Sequence, residues 1–358
     1  MMPSTVSPSL YGITKANSTR HGASLWGKNQ FNSTFPLALC LWMRDHNQSP
    51  VTVIEDGGRI VANDTLWQMR DVIGPANCYY MFESPFDPYA GYCRDAVDNI
   101  DLVVTTDGQP LRPLEIKLTV VPDSGTASGG TDKWAPEMVM RPVSSAYAMM
   151  SVAASLAGDD EASEAVATHL RLAYNQITGW DNATEIAQRA GMLRAALDGA
   201  LRVVAERGLQ RPFLLQPLWR TEGQSFVLAE HCFDVFVWSD AAVMRVPVDQ
   251  STDGIDRVSR PLREVARHVR GLYDLLSTGD FSYLGIYKGM PLGHQTDKSF
   301  ALGGRKSIRY LRHPRLSQPL LDRSILSRLV IGGGERELRP ERRFDAAVVA
   351  QMLAEPGA

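Results

Sequence analysis

Residues 98–123 read DNIDLVVTTDGQPLRPLEIKLTVVPD. Two apolar runs rich in β-branched residues, Ile100–Val104 and Leu114–Val121, flank the turn-forming Thr106-Asp107-Gly108, a pattern that predicts paired strands of a buried sheet. Charge is out of place in such strands. Yet Asp101 interrupts the first, and Glu115 and Lys117 interrupt the second, two residues apart and therefore on one face. A carboxylate or ammonium in a sheet core is costly without a partner, so three charges there imply mutual pairing or a common ligand. A divalent metal meets that need, because two acidic oxygens suit a hard cation such as Mg²⁺, which keeps waters and takes phosphate oxygens.

The order Asp101, thirteen residues, Glu115, one residue, Lys117 has the form of the PD-(D/E)xK nuclease motif, with Ile100 where the motif usually has proline. In that chemistry the carboxylates hold the metal, while the lysine orients or deprotonates the attacking water and stabilises charge on the phosphate. A bare Glu-x-Lys is common by chance, and a solvated strand face with a Glu–Lys surface pair is the competing reading. The apolar flanks of both strands and the placement of Asp101 favour the buried site. A third metal carboxylate is sought upstream. Glu83, at the end of a strand expected over Asn77–Phe82, is the first candidate and Asp98 the second, each with an ordinary surface role as its alternative.

The chain has 358 residues, 44% hydrophobic and 22% charged, which is the composition of a globular protein able to bury a large core. It is read as a single elaborated nuclease domain over 1–358, with a catalytic core at 35–150, a helical region at 144–208 and a basic DNA-binding segment at 298–343. That segment holds twelve Lys and Arg against four Asp and Glu, a net +8, which leaves −11 for the remainder of a chain whose net charge is −3. A basic face on an acidic body is the electrostatic footprint of a protein that grips a phosphate backbone, although a solvated basic surface has the same composition. Cys40, Cys78, Cys93 and Cys232 lack zinc-ligand spacing and read as reduced core residues. No apolar run approaches a membrane span, and the opening residues lack a basic region followed by an apolar core, so a cytoplasmic protein is expected.

Outward from the central hairpin, Lys28, Asn29, Gln30 and Asn32 lie among the aromatics Trp26 and Phe31 in a polar N-terminal stretch. Amides and cations of this kind suit base edges and phosphates, and they equally suit an arm packed on its own protein. Pro36 sits in a plausible first helical turn of a helix running to about Asp45. Val51–Ile54 and Arg59–Val61 flank Asp56-Gly57-Gly58, a hairpin signal. A short helix is expected between Pro88 and Val97. Glu137–Arg141 reads as extended and Pro142 opens a helix, giving Arg141 and Ser144 a possible phosphate role at its N-terminus. Helical periodicity continues to Arg207, and Phe213–Trp219, Ser225–Leu228, Phe233–Trp238 and Ala242–Val246 read as later strands. Pro261–Leu276 is an amphipathic helix. Beyond it Lys298, Arg305, Lys306, Arg309 and Arg312 mix with glycines in a manner suited to phosphate contacts and to guanine readout by arginine.

These residues carry a family resemblance. LYGI at 10–13, WGKNQFNSTFP at 26–36, FES at 82–84, IDLVV at 100–104, RPLEIKLTVVPD at 112–123, RP at 141–142 and PERRFD at 340–345 resemble the HindVP family of type II restriction endonucleases. The resemblance implies an α/β (α+β) fold with a PD-(D/E)xK core, its central mixed sheet flanked by helices. It further implies cleavage of double-stranded DNA with Mg²⁺, for which Mn²⁺ can substitute, at a site of the GRCGYC type, with Asp101, Glu115 and Lys117 in the catalytic roles. A palindromic target suggests a homodimer, and a lethal nuclease calls for a cognate DNA methyltransferase as genetic partner. Two alternatives stand beside this reading: a nuclease of the same fold that acts on DNA structure in repair or recombination, and a DNA-binding relative with a dead nuclease core.

Overall fold

The computed structural model describes residues 13–15, 36–37, 40–41, 43–44, 47–63, 66–107, 109–117, 138–219, 233–251, 258–291 and 300–302. Its strands are β1 (Ile13–Lys15), β2 (Val51–Glu55), β3 (Ile60–Asn63), β4 (Tyr79–Ser84), β5 (Ile100–Thr106), β6 (Gln109–Ile116), β7 (Met138–Met140), β8 (Pro212–Trp219), β9 (Phe233–Ser239) and β10 (Phe300–Leu302). Eight of them form one mixed sheet in the order β1-β4-β5-β6-β8-β9-β2-β3, and β7 pairs with β10 in a separate ribbon. The meander β4-β5-β6 is antiparallel, β8 adds in parallel to β6, β9 returns antiparallel, and β2 joins β9 in parallel before the β2–β3 hairpin closes the edge.

The central hairpin forms where the sequence places it, with a boundary shift. Its turn is tighter than the apolar runs suggest, with Asp107 in the left-handed region at φ 50°, and β6 starts at Gln109. Aspartate tolerates that conformation better than most residues do. Consequently β6 ends at Ile116, and Lys117 lies one residue beyond it. Residues 118–121 fall outside the described residues. The Gly57 and Gly58 turn of the β2–β3 hairpin has φ of 55° and 81°, values that favour glycine.

The helices are α1 (Met69–Ile73), α2 (Pro142–Leu156), α3 (Asp160–Tyr174), α4 (Ala183–Gln188), α5 (Ala190–Glu206), α6 (Asp240–Gln250), α7 (Arg260–Thr278) and α8 (Tyr283–Gly289), with a 3-10 turn at Asp87–Tyr92. The described residues between 36 and 44 are also helical. Local chemistry sets their ends. Pro142 opens α2; Asp159 accepts from Ala162 N and Ser259 from Leu262 N; Gly279 closes α7 in the left-handed region. Helices α2 and α6 lie on one sheet face, and α3, α5 and α7 pack behind them in a helical layer. Val51, Val53, Val103, Leu214, Phe236 and Trp238 point into this layer's core, while Leu102, Val104, Leu114 and Ile116 are buried on the opposite face.

Ala242–Val246 is a correction: it belongs to helix α6, not to a strand. An apolar run of this length cannot be told from a buried helix by periodicity alone. The deciding groups stand before it, where Ser239 accepts from Ala242 N and caps the helix, and Asp240 accepts from Ala241 N at 2.8 Å. The strand expected at Ser225–Leu228 lies outside the described residues.

Candidate active site

The three charges of the central hairpin meet at its open end. Leu102 pairs with Leu114, so the next rung sets Asp101 opposite Glu115. Across β6, Glu115 pairs with Leu214 and Ile116 with Leu215 of β8, and the Lys117 N–H donates to the Leu215 carbonyl at 2.8 Å. Lys117 therefore extends the ladder past the formal end of its strand, and its side chain returns to the Glu115 face.

Each charge is held. Asp101 Oδ2 accepts from Ile116 N–H at 2.9 Å. Glu115 Oε1 accepts from both Lys117 Nζ and, at 2.7 Å, Ser144 Oγ in the first turn of α2. The Glu115 and Lys117 side chains are only 6% and 16% exposed, which places their ion pair out of reach of most solvent screening. Burial pulls the Lys117 ammonium down, but the neighbouring Glu115 and Asp101 carboxylates more than offset it and hold its pKa above the ordinary lysine value. Arg141, exposed at the N-cap of α2, is close enough to oppose them.

Within the hairpin itself two carboxylates stand against one ammonium, and their oxygens are the groups able to ligate a metal. Such a donor set fits a hard divalent cation and not a soft one. Glu83 takes the register position across from Asp101, because Phe82 pairs with Leu102 and Ser84 with Ile100. It lies within β4 and not at its end. Asp98 is exposed and accepts from the Tyr283 hydroxyl at 3.3 Å.

Of the residues expected to meet DNA, Arg141 stands beside the site. Ser144, read from the sequence as a phosphate contact, is 1% exposed, and its hydroxyl is directed to Glu115 because the first turn of α2 is laid against the end of β6. Lys28, Asn29, Gln30, Asn32, Lys298, Arg305, Lys306, Arg309 and Arg312 lie outside the described residues. Phe300 of β10 pairs with Met140 of β7, which joins the start of the basic segment to the strand that leads into Arg141. The Ser144 bond to Glu115 had no signal in the sequence, where a serine at a helix N-terminus reads as a phosphate contact.

The HindVP restriction endonuclease family matches residues 26–353. The type II restriction enzyme HgiDI of Herpetosiphon aurantiacus is 31% identical over 352 residues, 96% of each chain. The probable type II restriction enzyme HindVP of Haemophilus influenzae is 27% identical over 350 residues, 96% of this chain and 93% of that one. No solved structure matches. With a family match over residues 26–353 and a relative 31% identical over 96% of each chain, the chain belongs to the HindVP restriction endonuclease family.

Proposed function

We propose that this restriction endonuclease hydrolyses phosphodiester bonds of double-stranded DNA with Mg²⁺ as cofactor, Mn²⁺ substituting, at a palindrome of the GRCGYC type. The observation that carries the reading is the Asp101–Glu115 pair across the hairpin with Lys117 Nζ on Glu115. Asp101 and Glu115 hold the cation, with Glu83 as a third carboxylate by its register. When bound, the cation supplies Lewis-acid polarisation of the phosphate and neutralises its charge. Ser144 fixes one oxygen of Glu115 and so orients the carboxylate. Lys117, kept as an ammonium by its two acidic neighbours, orients the attacking water and stabilises charge on the phosphate, a role that suits it better than that of a base.

Arg141 faces the backbone beside the site, and Lys28, Asn29, Gln30 and Asn32 with Lys298, Arg305, Lys306, Arg309 and Arg312 supply further DNA contacts. The whole chain acts as one nuclease domain. A palindrome is cut by two such centres related by a two-fold axis, so the active form is a homodimer, with a cognate methyltransferase protecting host DNA. Action in the bacterial cytoplasm is consistent with the described residues, among which no helix is long and apolar enough to cross a membrane.

The test is digestion of unmethylated plasmid with Mg²⁺, Mn²⁺, Ca²⁺ or chelator, followed by sequencing of the ends. Discrete fragments sharing one end sequence are expected with Mg²⁺ and Mn²⁺, binding without cutting with Ca²⁺, and no cutting in chelator. Full activity in chelator refutes the metal assignment, and a smear without common ends refutes site-specific cleavage.

A further inference from the structure

The sheet face that carries the acidic pair holds one more polar side chain that this chemistry leaves without a role. Gln216 of β8 is 0% exposed. The pairing of Glu115 with Leu214 and Ile116 with Leu215, continued by the Lys117 N–H to Leu215 carbonyl bond, brings positions 117 and 216 side by side. Alternation along both strands then sets Glu115, Lys117, Leu214 and Gln216 on one face.

The orientation of the amide is fixed by a neighbour. Trp238 of β9 donates its Nε1–H to Gln216 Oε1 at 3.0 Å. An indole nitrogen can only donate, so this contact identifies which arm of the amide is oxygen. With Oε1 bonded to Trp238, Nε2 is the arm of the amide left for another partner, at a position whose register neighbour on β6 is 117. This buried NH₂ has no hydrogen-bond partner among the described residues. An unpaired buried donor is costly and uncommon, and acceptance from Trp238 accounts for only the oxygen half of the side chain. The Lys117 ammonium cannot satisfy it, because both groups only donate. What the two can share is an oxygen acceptor.

We propose that Gln216 Nε2 donates a hydrogen bond to a nonbridging oxygen of the scissile phosphate, beside Lys117, as negative charge builds there. The proposal rests on the Asp101–Glu115–Lys117 centre. In the step it serves, the water oxygen bonds to phosphorus and the bond from phosphorus to the leaving sugar oxygen breaks. The water proton passes to solvent, the leaving oxygen takes up a proton, and the amide exchanges no atom. The arrangement separates the site by chemistry: acceptors on β5 and β6 meet the cation, and donors at 117 and 216 meet the anion.

Two variants test it in the full-length protein. Gln216→Glu keeps the shape and the acceptor for Trp238 but replaces the donor with an acceptor. Gln216→Met keeps the volume and removes both polar atoms. Single-turnover cleavage of supercoiled plasmid at saturating Mg²⁺ is expected to slow about 100- to 1,000-fold in both, the usual loss on removing one preorganised donor to a developing oxyanion. Gln216→Met leaves the buried Trp238 indole donor unpaired, so its melting temperature is expected to fall by a few degrees with folding retained, while Ca²⁺-supported retention of the same plasmid stays at the parental value. A structural role would not produce that split between rate and binding. Cleavage by Gln216→Met at the parental rate overturns the proposal, as does loss of binding in proportion to rate. If Gln216→Glu unfolds, Gln216→Met decides, and unfolding of both makes Gln216 a packing residue and also overturns it. Asp101→Asn run in parallel separates the two ideas: an inactive Asp101→Asn beside an active Gln216→Met sinks the glutamine alone, whereas an active Asp101→Asn sinks the centre and the glutamine with it.

Discussion

Replacing Ser144 by alanine removes one hydrogen bond from the best-connected atom of the site. Ser144 Oγ donates at 2.7 Å to Glu115 Oε1, both residues are buried, and Lys117 Nζ meets the same oxygen. A bond to an ionised acceptor contributes roughly 1.5–3 kcal/mol, twice a neutral one or more. If its function is to hold the carboxylate in the orientation that meets the cation, that energy appears as metal affinity, about 10- to 100-fold for a group of this kind. The two figures agree, because about 1.4 kcal/mol corresponds to one factor of ten. Plasmid cleavage titrated with Mg²⁺ should show the half-saturating concentration of Ser144→Ala raised by that factor, with the plateau rate recovered in excess metal. Calcium binding by calorimetry should weaken in step. An unchanged half-saturating concentration in a folded variant would refute the orienting role. A variant that binds DNA more weakly in chelator, with metal affinity intact, would instead restore the helix N-terminus as a phosphate contact.

Two other perturbations follow. Burial pushes the Asp240 carboxyl up to about 6 against the hydrogen bonds it accepts from Ser151 Oγ, Arg211 N and Ala241 N. A carboxyl whose folded value lies above its unfolded one favours the folded state while protonated, so its contribution falls as pH rises from about 4 to about 6, by roughly 3 kcal/mol. Urea midpoints of Asp240→Asn should lack that component, and an unaltered pH dependence of stability over this range would contradict the assignment. For the dimer, Lys117→Ala protein in excess over the parent should give mixed dimers that nick supercoiled plasmid at the site without linearising it. Linear product in proportion to the parent protein, with no nicked excess, would mean independent cuts by single subunits.

The site was legible where its signal was local. Charge inside β-branched runs, a two-residue spacing that fixes a common face, and a turn between the runs are all contained in residues 98–123, and the hairpin follows from them. What the sequence hides is lateral neighbourhood. Strand β8 lies beside β6 although nearly a hundred residues separate them, and nothing in PFLLQPLW indicates that its glutamine comes to rest next to Lys117. Helix α6 was missed for a different, local reason: AAVMRV has no period, and the assignment turns on the Ser239 cap and Asp240 before it. Lateral neighbourhood also decides the surroundings of Arg263 and Arg267 on the amphipathic helix α7. Both are buried, with Arg267 stacked 4.5 Å from the Tyr287 ring and donating to the Met290 carbonyl at 2.8 Å, beside a Glu264 held down to about 2. Burial opposes the Glu264 charge, and the contacts from His268 and Arg267 overcome that opposition.

The electrostatics of the hairpin also bear on the order of events. Glu115 is buried and Asp101 partly so, and a phosphate approaching without a cation would meet their charge only partly screened. Lys117 relieves part of that repulsion but is engaged with Glu115 Oε1. Under the proposed function, a cation held by Asp101 and Glu115 with Glu83 would still be short of oxygens, since three side chains supply only part of a hard cation's shell. Each ligand would then supply what the other lacks: the phosphate would offer oxygens to the cation, and the cation would offset the repulsion. Reciprocity of binding free energies requires that the factor by which DNA tightens the cation equal the factor by which the cation tightens DNA. Ser144 then acts on both affinities through one carboxylate oxygen, whereas Gln216, turned to the phosphate as its charge grows, acts on the rate.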